Sequence, residues 1–240
     1  MKLAFFVIAL VILAASATAS DDNTYLYDAR FVQAAPGKLL DLIARFKSGT
    51  GRSDSGDEPP LMIRHSQGDR WDLMLLFPMA SYGDYYRAER AAKRKRAERD
   101  SGEALNGMIA WQEDLFVYGP PFEKVREAFS KAGFFHLEIF QSLPGKEADL
   151  LKEREMENAY QRALKRPENF IFVRDRGAAW ELFTVGCYRN LKHYAESADI
   201  PEADQEAAAK GAGFESASRI GPYLRTLIAL HHDTLAVAVK

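Results

Sequence analysis

The amino-acid sequence repeats itself, and that constrains the fold more than any other feature of the chain. Phe31-Val32-Gln33-Ala34-Ala35-Pro36-Gly37-Lys38 has its counterpart in Ile139-Phe140-Gln141-Ser142-Leu143-Pro144-Gly145-Lys146. Gly68, Trp71, Leu73 and Tyr85 recur in the same order, at nearly the same offset, as Gly177, Trp180, Leu182 and Tyr194. One such match is chance, but a run of them in common order is duplication. Each unit then folds alike and buries its apolar face against its copy.

The two halves predict the same elements. In the first, residues 25–33 are strand-like, and Pro36-Gly37 turns the chain into a helix carrying Leu39, Leu40, Leu42, Ile43 and Phe46. Residues 61–65 and 71–77 form two strands around Ser66-Gln67-Gly68-Asp69, a hairpin signal. Helical material follows from about 82, and 115–118 is the last strand. The second half gives a strand over 134–141, a helix over 146–164, strands over 170–174 and 179–185, helices over 191–229 and a strand over 234–239. The order β-α-β-β-α-β, twice, is that of the ferredoxin-like unit. The expected fold is α+β: two tandem ferredoxin-like repeats, 21–120 and 121–240, packed sheet to sheet as a barrel-like pseudo-dimer.

Residues 1–20 stand outside this pattern. Lys2, an apolar run over 3–14, and Ala17 and Ala19 in an A-x-A arrangement make a cleavable secretory signal, too short to span a bilayer. The expected location is periplasmic or secreted, with no membrane span after removal of the signal. Cys187 is the single cysteine, so no intrachain disulfide forms, and its apolar stretch suits a small buried hydrophobe. The near balance of 32 Lys+Arg against 34 Asp+Glu argues against nucleic acid as a partner. The basic run from Arg87 to Arg99 reads as a solvated helix face. There is no G-x-S-x-G elbow, no Walker A loop and no G-x-G-x-x-G after a strand, which excludes serine hydrolase, kinase and dinucleotide enzyme.

Tandem β-α-β-β-α-β units with a hairpin centred on Gly and Trp resemble the dimeric α+β-barrel superfamily. Its members include monooxygenases of the antibiotic-biosynthesis type, EthD-like and NIPSNAP-like proteins, and two-repeat chlorite dismutases. The resemblance covers the chain after the signal and is architectural. It implies two facing sheets, and oxidation or isomerisation of an apolar aromatic compound.

Candidate site residues come from strand alternation, since every second residue shares a face. Asp28 and Arg30 share one face of the first strand, and His136 and Glu138 hold the matching positions. Ionisable residues on a central strand are expected to line the space between the sheets. Asp72 and Glu181 each follow a matched tryptophan, Trp71 and Trp180. The expected small-molecule site therefore lies between the repeats, bounded by Asp28, Arg30, Trp71, Asp72, Trp180, Glu181 and His231. His65 or His136 would be its acid/base, oriented by carboxylates such as Glu138. The competing reading is salt bridging at the sheet interface, in a non-catalytic envelope protein that binds a partner protein. No cofactor is expected. A metal on His136, Glu138 and one of His65, His231 or His232 is a minor alternative, because no H-x-x-x-H or H-E-x-x-H pattern occurs. So is a haem with His193 proximal and Arg174 or Arg64 distal.

Overall fold

The computed structural model describes residues 24–49 and 58–239. The secretory signal at 1–20 and most of the polar loop around 48–58 lie outside the described residues.

The first repeat runs β1 (Tyr25–Ala34), α1 (Leu39–Lys47), β2 (Leu61–Gln67), β3 (Leu73–Ala80), α2 (Tyr82–Tyr85), α3 (Ala88–Leu105) and β4 (Ile109–Gly119). Helix α4 (Phe122–Lys131) links it to β5 (Phe134–Ser142), α5 (Glu147–Ala163), β6 (Phe170–Arg176) and β7 (Leu182–Tyr188). Helices α6 (Leu191–Ala195), α7 (Glu202–Gly211) and α8 (Ile220–Arg225) precede β8 (Ile228–Ala238). The eight strands close into one antiparallel barrel in the order β1-β3-β2-β8-β5-β7-β6-β4. Two seams join the halves: β2 pairs with β8, and β4 with β6. Each repeat thus pairs both of its edge strands with the other, which leaves no sheet edge exposed among the described residues.

The duplication is visible in individual hydrogen bonds. Ala34 N donates to Asp72 Oδ2 at 2.8 Å, and Ser142 N donates to Glu181 Oε2 at 2.7 Å. Asp72 N reaches Val32 O at 2.8 Å, and Glu181 N reaches Phe140 O at 3.0 Å. The hairpin glycines match as well. Gly68 and Gly177 have φ of +124° and +112°, and a Cβ there would stand 2.3 Å from Asp233 O and 2.5 Å from Asp114 O. Only glycine gives both the backbone angle and the close approach at these seams.

The barrel interior is packed. Tyr27, Ala29 and Phe31 from β1 and Phe135, Leu137 and Ile139 from β5 point inward, with Trp71, Phe172 and Phe183 filling the centre. Phe31 meets Trp71 edge-on at 5.4 Å, and Phe172 stacks on Phe183 at 4.8 Å. Helix α4 closes the end where β1 and β5 begin: Phe122 packs on Tyr25 and Tyr27, and Phe129 on Phe135. Outside the barrel, α1 lays Leu42 and Phe46 over Val32, Leu73, Leu75 and Phe77.

Strands β4 and β8 are both longer than the sequence pattern predicts. They start at Ile109 and Ile228, because polar runs in the middle, Gln112 to Asp114 and His231 to Thr234, hide the alternation. In the basic helix α3, Arg90 donates to the carbonyls of Pro78 and Met79, and Arg94 to that of Tyr85. Part of the basic run therefore caps neighbouring backbone rather than facing water alone.

Candidate functional site

The predicted site residues do not converge on one site: Trp71 and Trp180 meet at the barrel mouth, and His136, Glu138 and His231 meet on the outer face. On β1 and β5 the inward face belongs to the odd-numbered residues, so Asp28, Arg30, His136 and Glu138 point away from the barrel and towards the helices. The expectation that they line the space between the sheets is corrected on this point. The apolar rings win the interior because burying an unpaired charge costs more than burying a ring recovers. Asp72 and Glu181 are occupied as backbone acceptors at equivalent places. His65 stays with the barrel, its ring 5.6 Å from that of Trp71, and its Nε2 is buried without a partner. Burial pushes the Cys187 thiol up to about 12, which disfavours the thiolate.

Two places gather functional side chains. The first is a hollow of about 290 Å³ at the barrel end opposite α4. Trp71, Trp111 and Trp180 supply aromatic wall, and Arg70, Glu113 and His232 supply polar groups. Its members fall into repeat-related pairs, Trp71 with Trp180 and Phe31 with Ile139, so the hollow sits between the two halves. Trp180 Nε1 donates to Glu113 Oε2 at 2.7 Å, and the Arg70 guanidinium lies 3.7 Å above the Trp111 ring. His232 Nδ1 is 2.6 Å from Asp69 Oδ2. Trp71 is 1% exposed, and its Nε1 has no partner.

The second is the outer face of the second repeat, between β5, β8 and α5. Helix α5 buries Glu153 and Arg154 beside Leu150. Arg154 Nε lies 2.6 Å from Glu153, and its Nη1 lies 2.7 Å from Glu157 and 3.5 Å from Glu138. His231 Nε2 is 3.2 Å from Glu138 Oε1, and His136 Nε2 is 2.5 Å from Asp233 Oδ1. Burial works against the Glu138 carboxylate, but the His231 hydrogen bond and the Arg154 charge outweigh it and hold the group at about 2. Glu157 goes the other way. Burial, assisted by Glu138 and Glu153, outweighs Arg154 and lifts it to about 7. His136 loses to burial but gains more from Asp233 and Glu138, so its imidazolium is favoured overall.

Sequence reasoning missed Glu153, Arg154 and Glu157, although the signal was present. Leu150, Glu153, Arg154 and Glu157 fall at i, i+3, i+4 and i+7, so the sheet-facing stripe of α5 is mostly charged. Trp111 and Glu113 lie outside the predicted strand, which starts at 115, whereas β4 starts at Ile109. The opposite facing of His231 and His232 holds, one towards Glu138 and the other towards Asp69.

No family model matches the chain, and no curated protein is similar to it at a meaningful level. Solved structures are similar. An anthrone oxidase-like protein matches with TM-score 0.59 and 13% identity, over 91% of this chain and 93% of its own. A candidate monooxygenase from Lactobacillus acidophilus NCFM matches with TM-score 0.54 and 10% identity, over 89% and 93%. A mutant chlorite dismutase from Candidatus Nitrospira defluvii gives TM-score 0.50 and 10% identity, over 90% and 92%. The chain has the dimeric α+β-barrel fold.

That likeness corrects the expectation of a cofactor-free protein, since the fold is one that chlorite dismutases use and the resemblance implies haem. Neither of the two hollows among the described residues fits a histidine-ligated haem. The hollow that His232 lines, at about 290 Å³, is at the lower limit for drug-sized ligands and too small for a macrocycle. A larger hollow of about 580 Å³ between α5 and α8 is walled by Lys152, Met156, Phe214, Arg219 and Tyr223 among others, with no histidine. His193, the predicted proximal residue, accepts from Arg189 N through Nδ1 and packs on Tyr188, away from both hollows.

Proposed function

We propose that this protein binds a small, flat aromatic molecule in the hollow between its repeats, at the open barrel end. The observation that carries the reading is the aromatic wall of Trp71, Trp111 and Trp180, with the Arg70 guanidinium 3.7 Å above the Trp111 ring. Trp111 and Trp180 give such a ligand aromatic surfaces, and Arg70 adds a cation beside them. His232 is held through Nδ1 by Asp69, so its Nε2 is the nitrogen left to exchange a proton with a phenol or enol. The oxygenase-like fold of the solved neighbours supports an aromatic ligand of this kind.

Calorimetric titration with 2-naphthol and hydroxynaphthoquinone tests the reading. Saturable binding by the native protein, weakened in Trp111→Ala and Arg70→Ala, is the expected result. No saturable binding to either probe, or equal binding by both variants, would overturn it. We further propose that the signal at 1–20 exports the protein. Protein recovered outside the cytoplasm should begin near Asp21, and a cytoplasmic product retaining Met1 refutes export.

A further inference from the structure

We propose that His136, Glu138 and Asp233 form a binding site for a first-row divalent cation on the outer face of the second repeat. One donor atom from each lies within 4.8 Å of the other two. The set runs from buried Glu138 to Asp233, whose side chain is 57% exposed, so it is anchored inside and open to water on one side. This site is separate from the barrel-mouth hollow and does not depend on it.

The first repeat shows what the backbone does at this place. Arg30 stands directly opposite Asp114 across β1 and β4, and its guanidinium bridges Asp28 and Asp114. In the second repeat the equivalent cross-strand pair is Glu138 opposite Asp233. The resident cation has been replaced by a carboxylate, and two like charges directly opposite on a sheet repel. Arg154 is shared by Glu138, Glu153 and Glu157, and Asp233 is held instead by His136 Nε2 at 2.5 Å, so a divalent ion here would take the place of the His136 proton. The fold thus keeps a cation between these strands in one half, and in the other offers three donors around the same point.

The donor types select the ion. One imidazole nitrogen with two carboxylate oxygens suits zinc, manganese, cobalt or iron(II), whereas magnesium and calcium prefer all-oxygen sets. Exposure at Asp233 leaves further coordination positions to water, as in open rather than closed sites. His231 acts as a positioning residue. It holds Glu138 Oε1 at 3.2 Å while stacked 4.9 Å from the Phe140 ring, and so fixes which oxygen faces the ion.

The test uses tag-free, chelator-treated protein, titrated with Zn²⁺ by calorimetry and with Co²⁺ by visible absorption. One ion per chain, a cobalt band and a raised Tm are expected. Asp233→Asn changes an exposed side chain and should weaken binding by at least about tenfold and remove the band. His136→Gln should do the same, and Asp114→Asn in the first repeat should leave binding unchanged. Absence of saturable binding in the native protein would overturn the site, as would equal affinity in Asp233→Asn. If His136→Gln does not fold, Asp233→Asn decides alone. Naphthol binding at the barrel mouth is read separately, so either proposal can fail without the other.

Discussion

Behind β1, helix α1 lays Leu42 and Phe46 on an apolar sheet face; behind β5, helix α5 lays Leu150 and Arg154 at the equivalent positions. Backbone, register and turn glycines agree between the halves, yet one outer layer is greasy and the other is ionic. The first repeat shows that the covering helix itself needs no charge there, although β1 still buries the Asp28–Arg30 ion pair on that face. Buried ion networks are seldom more stable than apolar packing of the same volume. The charged layer of the second repeat is where the proposed cation site lies, so the two layers should respond differently when their side chains are changed.

Breaking the network should produce the largest effect. Arg154→Met leaves Glu138, Glu153 and Glu157 without their shared guanidinium, and should cost about 3–5 kcal/mol in urea unfolding. Phe46→Leu, at the matching place in the first repeat, should cost less than about 1.5 kcal/mol. Equal losses would erase the contrast between the two layers.

The pH dependence should separate the halves next. Glu157 holds its proton up to about 7 when folded and about 4.5 when unfolded, so the folded state binds that proton more tightly. Its contribution is favourable below about 4.5 and is lost as pH rises to about 7. His136, whose folded value is raised, loses stability in the same direction above its unfolded value. Glu138 acts only on the acid side, losing stability as pH falls from about 4.5 towards about 2. The groups facing Glu157 are Arg154 and Glu153 from α5 and Glu138 and His136 from β5. Glu157→Gln should therefore match the native protein near pH 4.5 and exceed it by up to about 3 kcal/mol at pH 8. A native Tm that stays flat from pH 5 to pH 8 would sink this account.

Much of the architecture was legible because duplication doubles every signal. Gly68 and Gly177, Trp71 and Trp180, and the two Pro-Gly turns each vouch for the other. The sites were less legible, for a physical reason. On β1 both alternating sets contain large apolar residues, Tyr27 and Phe31 on one and Leu26 and Val32 on the other. Alternation shows which residues share a face, but a barrel with helices outside buries both faces. The choice between them depends on the closing strands β2 and β6, which cross to the opposite repeat. Asp233 and Trp111 stayed hidden because polar runs interrupt the alternation in the middle of their strands.

The smallest predicted effects test where the halves should agree. Asp72 and Glu181 look like site residues in sequence, but each accepts one backbone N–H at the end of its repeat's first strand, Ala34 N at 2.8 Å and Ser142 N at 2.7 Å. Removing the acceptor strands a partly buried donor, so Asp72→Ala and Glu181→Ala should each cost about 1–2 kcal/mol, with little difference between them. Asp72→Asn and Glu181→Gln keep a carbonyl oxygen within reach and should recover most of the loss. Neither pair should alter naphthol binding or the cobalt band. A specific loss of either signal in Glu181→Gln, with stability intact, would return that carboxylate to a site and break the equivalence that duplication predicts for this pair.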